Sequence, residues 1–261
     1  MKPFDESRPS DLSQPDPTEL RNRRFYGELW SQAELVPPER FNTWPLVRAL
    51  VRQAARRLEI APGMRPRLPI AGTHFLDLTG PPLQRLAARG GHVVRGSVTA
   101  MPFASARFDL LAAFDIVEHV AHDAVAFAEL GRLAAPGAWL LLSVPLHPQA
   151  WTPFDDLVGH HRRYRPADLL GRLREAGFTV AQSAAFGMQP RSPRLVGWGM
   201  RRLERDPARA MWWYNRFFMP VGLRLARRLR LRPGFAIPAR VDTILLVCRK
   251  DGARQSQARQ E

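Results

Sequence analysis

The sequence predicts an α/β domain built on a doubly wound, mainly parallel sheet. Two observations carry this. The runs FDLLAAFDI and AWLLLSV are almost continuously apolar, as strands covered on both faces must be, because neither face is left to water. Stretches of about a dozen residues with apolar groups at helical spacing separate them, and strands alternating with such helices imply parallel crossovers.

The elements follow in order. Residues 1 to about 20 are rich in Pro, Ser and Asp and poor in large apolar groups, which predicts a disordered arm. A single domain is expected over residues 21–250, and the polar tail 251–261 reads like the arm. From Trp44 to Leu58 the apolar residues 44, 47, 50, 51, 54 and 58 form a helical stripe opposite arginines, predicting a helix against the side of the sheet. His74–Leu78 reads as the opening strand, Thr79-Gly80-Pro81-Pro82 as its tight turn and Pro82–Arg89 as a helix, the strand-turn-helix start of a nucleotide-binding domain. Further strands are expected at His92–Ser97, Phe108–Ile116, Trp139–Val144, Thr179–Phe186 and Val241–Cys248, with helices at Ala121–Leu133 and Pro166–Ala176. Periodicity leaves the direction of the last strand open.

Composition narrows the function. The net charge is +15, and twelve arginines against Glu204 and Asp206 place +10 of it between Arg191 and Arg232. There Trp198, Trp212, Trp213, Tyr214, Phe217, Phe218 and Met219 are interleaved with arginine. A helical insertion over about 190–235 is expected, serving as a substrate lid or as a contact with an anionic membrane surface through 198–232. Nucleic-acid binding has only unspecific phosphate affinity behind it, since no recognisable module accompanies the patch. Neither a secretory leader nor a run of about 18 uncharged apolar residues is visible, so a cytoplasmic protein, at most peripheral to the membrane, is expected. The one cysteine, Cys248, lies in TILLVCRK and reads as a buried side chain rather than a reactive thiol.

Asp77 and Asp115 each end a predicted strand, at the carboxyl edge where open α/β sheets bind ligands. Thr79, Gly80, Thr99, Met101 and Phe114 are expected to line the same crevice. Of the histidines at strand ends or loops, His147 after SVPL and His160 in GHHRRY are the candidates for a general base. No histidine pair has the i, i+4 or cysteine-assisted spacing of a recognised metal site, so no metal is expected.

The segments FDLLAAFDIVEHV, AVAFAELGRLAAPGAWLLLSVP and LVGHHRRYRPADLLGRLREAGF together resemble the class I S-adenosylmethionine-dependent methyltransferases, in particular the bacterial group with a UbiE/Methyltransf_11-type domain. The resemblance implies a Rossmann-like sheet, S-adenosylmethionine as cofactor, and an acceptor that is a small molecule, a glycoconjugate or a lipid-linked compound. It also implies a glycine loop after the first strand, an acid ending the second strand that binds the ribose hydroxyls, and an acid facing adenine after the third. Aligned on LAARG, the run from Asp77 to Pro82 takes the glycine-loop position, the ribose acid and its helix are missing, and Ser97 replaces the adenine acid. One strand-helix unit is then expected to be shortened or absent. A degenerate pseudo-methyltransferase that binds or scaffolds a protein partner is the alternative reading.

Overall fold

The computed structural model describes residues 30, 33–186, 205, 209, 212–226, 228–236 and 241–252. The expected arm 1–20, most of the tail and much of the arginine-rich segment lie outside these residues. Among the described residues, eight strands form one sheet: β1 (Arg57–Ile60), β2 (Thr73–Asp77), β3 (His92–Arg95), β4 (Phe108–Phe114), β5 (Ala134–Pro145), β6 (Phe178–Phe186), β7 (Arg232–Pro233) and β8 (Thr243–Lys250). Their spatial order is β3-β2-β1-β4-β5-β8-β6-β7. The first five run parallel, and β8 inserts antiparallel between β5 and β6.

The continuous apolar runs are explained by the layers. In β4, Leu110 and Ala112 pack with Val47 and Leu50 of helix α1 (Trp44–Val51). Leu111 and Ala113 face the opposite layer, with Leu130 and Leu133 of helix α3 (Asp123–Leu133) and Leu169 and Leu173 of helix α5 (Pro166–Glu175). Helix α2 (Gly80–Ala87) covers β2 and β3 through Leu83 and Leu86 against Phe75. A short helix α4 (Pro153–Val158) follows β5, and α6 (Met219–Leu225) precedes β7. The aliphatic and aromatic side chains of these layers contribute on the order of 1.5–3 kcal/mol each when fully buried.

Three expectations change. The helix expected over Trp44–Leu58 ends at Val51, and Leu58 belongs to β1. Asp109 accounts for the exit: its carboxylate accepts the Arg56 backbone N–H at 3.0 Å and its own N–H donates to the Arg56 carbonyl at 2.8 Å. That exchange draws RLEI into pairing with β4. The helical stripe continues by coincidence through Ala54 and Leu58, both buried but in different layers.

Consequently His74–Leu78 is the second strand and not the first. No strand is missing; the shortened unit is the connection from β1 to β2, residues 61–72, which carries no helix. Pro81 and Pro82 stiffen the first turn of α2, where a missing N–H costs nothing, and have no part in a glycine loop.

What holds the helix-free connection in place is Glu59. Buried in β1, it accepts the Arg67 N–H at 2.8 and 3.0 Å and the Leu68 N–H at 2.9 Å. Burial lifts its carboxyl to about 7, against the pull of these two amides and the Arg67 charge. The folded-state value lies above the ordinary 4.5, so the protonated form favours folding. This contribution is full below about 4.5 and fades as pH rises to about 7. A Glu59→Gln variant, which cannot ionise, is expected to show a flatter dependence of urea midpoint on pH across that window. An unchanged slope would remove Glu59 as its source.

Candidate functional site

The carboxyl ends of β2, β1, β4 and β5 lie side by side, and the backbone is strained along that edge. Among the described residues, four non-glycine residues have positive φ, and three of them sit here: Ala61 (50°) after β1, Asp115 (51°) after β4 and His147 (64°) after β5. Left-handed conformations cost non-glycine residues roughly 1–2 kcal/mol each, and such strain persists where function or the surrounding structure requires it. The true counterpart of the glycine loop is therefore Ala61-Pro62-Gly63, directly after β1.

Gly63 has φ 52°, and a Cβ there would lie 2.4 Å from a ring carbon of Trp30. Only glycine leaves room for that indole. The Gly63 N–H donates to Asp77 Oδ2 at 3.2 Å, and the Thr79 N–H and hydroxyl donate to Asp77 Oδ1 at 2.8 and 2.7 Å. Burial raises the Asp77 pKa, and these donors pull it back down. Asp77 thus ends β2 and clamps the turn that ends β1.

Asp115 is exposed, and desolvation by the protein atoms around it raises its pKa against the pull of the Ser143 hydroxyl. Its Oδ1 accepts from the Ser143 hydroxyl at 2.9 Å. Thr99 is partly buried, its hydroxyl 2.8 Å from that of Ser97. Gly80 leaves open space, with no atom within 4 Å of a built Cβ.

Two expected lining residues lie differently. Met101 is 3% exposed and packs in the core. Phe114 belongs to the α1 layer, with Phe186 at 6.0 Å and the Arg67 guanidinium 5.4 Å from its ring.

A second cluster forms where the chain after α4 returns to the ends of β4 and β5. The Tyr164 N–H donates to the Pro145 carbonyl and the His147 N–H to that of Tyr164, both at 2.9 Å, while the His161 N–H donates to the Glu118 carbonyl at 2.8 Å. These bonds seat His160 against the turn Val117–His119. Asp155, fully buried, receives the Arg163 guanidinium through Nε and Nη2, both at 2.9 Å, His160 Nδ1 at 2.7 Å and Thr152 N–H at 2.7 Å. Burial would raise its carboxyl, but His160, Arg163 and Thr152 outweigh that and hold it well below the ordinary range. Arg163 also pairs with Asp242. The structure thus places His160 inside this network and His147, partly exposed, on the strained turn after β5.

Glu59, Gly63, Glu118 and Asp155 were not singled out from the sequence. For the first two the sequence offered only the Pro62-Gly63 turn, since RLEI is too short to show a strand period. Asp155 had a weaker one, the Thr152-Pro-Phe-Asp155 spacing of a capping box.

A sequence model for a methyltransferase domain matches residues 36–183. The chain belongs to this methyltransferase domain family. Solved structures agree on the fold of the methyltransferase domain. One is an S-adenosylmethionine-dependent methyltransferase from Thermotoga maritima, described as a possible histamine N-methyltransferase; it is 13% identical, with 89% of this chain and 92% of that one covered and a TM-score of 0.53. Another is a candidate sarcosine dimethylglycine methyltransferase from Galdieria sulphuraria, 13% identical over 90% and 98% of the two chains, TM-score 0.53. A third, the [4+2]-cyclase SpnF, is 15% identical over 80% and 81%, TM-score 0.51. No curated protein matches in sequence.

S-adenosylmethionine is the cofactor this family implies, and the strand register bears on whether the methyltransferase domain retains its site. The second strand ends in Asp77, where the resemblance requires the ribose-binding acid. The expected loss of that acid came from taking β2 for the first strand, whereas Ser97 still follows the third strand, where the resemblance puts the adenine-facing acid. Asp77 Oδ2 accepts one protein N–H, so a lone pair remains for a hydroxyl. The residues present fit the cofactor.

Proposed function

We propose that this chain transfers a methyl group from S-adenosylmethionine to a hydroxyl-bearing acceptor, a small molecule, glycoconjugate or lipid-linked compound. The observation that supports this reading best is Asp77, a buried carboxylate clamped to the bare backbone of Gly63 at the strained carboxyl edge. Asp77 would accept the ribose hydroxyls, and Ala61 to Gly63 would let the rest of the cofactor approach the backbone. Thr79, Gly80 and Thr99 would flank it, and Asp115 would close the side toward β4. The bound cofactor supplies an electrophilic methyl on its sulfonium.

What remains for the chain is orientation and proton removal. His147, partly exposed on a strained backbone after β5, would take the proton of an acceptor hydroxyl. Calorimetric titration with S-adenosylmethionine and S-adenosylhomocysteine tests the reading. Micromolar binding of both is expected, and no heat at millimolar concentration would overturn it.

One observation favours a lipid-linked acceptor. Trp212, Trp213, Phe217, Phe218 and Val221 are 44–54% exposed, with Arg216, Arg224, Arg228 and Arg230 exposed beside them. Aromatic groups among arginines suit the interface of an anionic bilayer, although no helix among the described residues is long and apolar enough to cross a membrane. Sedimentation with phosphatidylglycerol vesicles, and none with phosphatidylcholine vesicles, is the expected result. Equal recovery with both would count against it.

A further inference from the structure

Glu118, His119 and His160 can each present one donor atom such that all three lie within 4.8 Å of one another. Glu118 is fully buried and neither of its carboxylate oxygens has a hydrogen-bond partner; Oε1 lies 3.9 Å from His160 Nε2. A buried carboxylate with nothing to accept from is costly and calls for a cause.

The histidine tautomers sharpen the point. Both oxygens of Asp155 accept from the Arg163 guanidinium, so its contact with the His160 ring at 2.7 Å has Nδ1 as the donor. For His160 that contact turns Nε2, the other ring nitrogen, toward Glu118. His119 Nδ1 lies 3.3 Å from the Gly159 carbonyl, which can only accept. The Glu118 carboxyl and the two imidazoles thus converge as three groups that can each give an electron pair to one ion. Metal-binding histidines show this arrangement, the far N–H anchored on a carboxylate or carbonyl that fixes tautomer and ring orientation.

We propose that Glu118, His119 and His160 form a binding site for a divalent transition-metal ion of the zinc class. Two imidazoles and one carboxylate are a donor set for such ions that leaves coordination positions open. Bonds of about 2.0–2.2 Å would bring the donors to roughly 3–3.5 Å apart, a closure reached by small side-chain rotations. Asp155, locked by Arg163 and Thr152, is the outer group that holds His160 in position. Asp115, three residues before Glu118 and directly after β4, puts the cluster beside the carboxyl edge of the sheet, so an open position could receive an oxygen of the acceptor. That last use rests on the methyl-transfer reading; ion binding does not.

The experiment uses the full chain, stripped of metal by chelation and dialysed against zinc, with cobalt(II) as the spectroscopic probe. One ion per chain and the intense visible absorption of low-coordinate cobalt are expected. Glu118→Gln and, separately, His119→Ala should weaken binding at least tenfold and abolish the absorption, while His122→Ala, an exposed histidine outside the cluster, should change neither. Circular dichroism identifies variants that keep the fold, and only those are scored. No bound ion in the parent chain would overturn the proposal, as would binding that survives both cluster substitutions. Because the readout is metal alone, a failed cofactor titration would leave this result standing, and the reverse holds equally.

Discussion

Replacing Arg163 by alanine is expected to destabilise the fold by about 3–5 kcal/mol, the cost of leaving a buried charge without its partner. The Arg163 and Asp155 side chains are 1% and 0% exposed, and their two-point contact anchors the chain between α4 and the ends of β4 and β5. Removing the cation leaves Asp155 ionised in the interior, or forces it to take up a proton. Chemical denaturation of the variant at neutral pH measures the loss, and a change below 1 kcal/mol would show that water reaches the pair.

The same pair sets a pH response. Asp155 has a folded-state pKa well below its ordinary value, so its stabilisation is full above the unfolded-state value of about 4. It is lost only as pH falls through the depressed one. The parent should therefore hold this contribution across the neutral range and lose it in acid. The Arg163→Ala variant should unfold at higher pH than the parent, because its Asp155 protonates earlier.

Replacing Asp77 by alanine is expected to weaken S-adenosylmethionine binding by about 10- to 100-fold, since hydrogen bonds to a charged group are worth roughly 1.5–3 kcal/mol. Part of the loss is indirect. Without the carboxylate, the Gly63 and Thr79 N–H groups lose the acceptor that holds the turns after β1 and β2. Asp77→Asn separates the two parts: an amide keeps one accepting oxygen for the turns but loses the charge and places an NH2 where one carboxylate oxygen stood. An intermediate affinity in calorimetry is the expected outcome. Parent-like affinity in both variants would move the ribose elsewhere and with it the assignment of the crevice.

How much of this was legible in the chain depends on how local each signal is. The long runs FDLLAAF and AWLLLSV, the helix from Pro166 and the last strand were readable, because burial on both faces or along one stripe writes itself into consecutive residues. RLEI was not. Four residues give no periodicity, and the stripe of the preceding helix runs across it. That single omission shifted the register of the whole nucleotide-binding half, turning the second-strand acid into a first-strand one and making a ribose acid appear lost. The double proline after Gly80, striking as a departure from a glycine loop, is ordinary at the start of a helix once the strand before it is β2.

The sequence by itself determined the α/β class, the family resemblance and the presence of acids at strand ends, since each depends on residue type and near-neighbour spacing. Only the tertiary structure decided which strand is first, that β8 runs antiparallel between β5 and β6, and that Glu118, His119 and His160 converge. Those outcomes come from backbone pairing between distant segments, Arg56 with Asp109 and His161 with Glu118. The free energy of such pairs belongs to the folded arrangement and leaves no periodic trace along the chain.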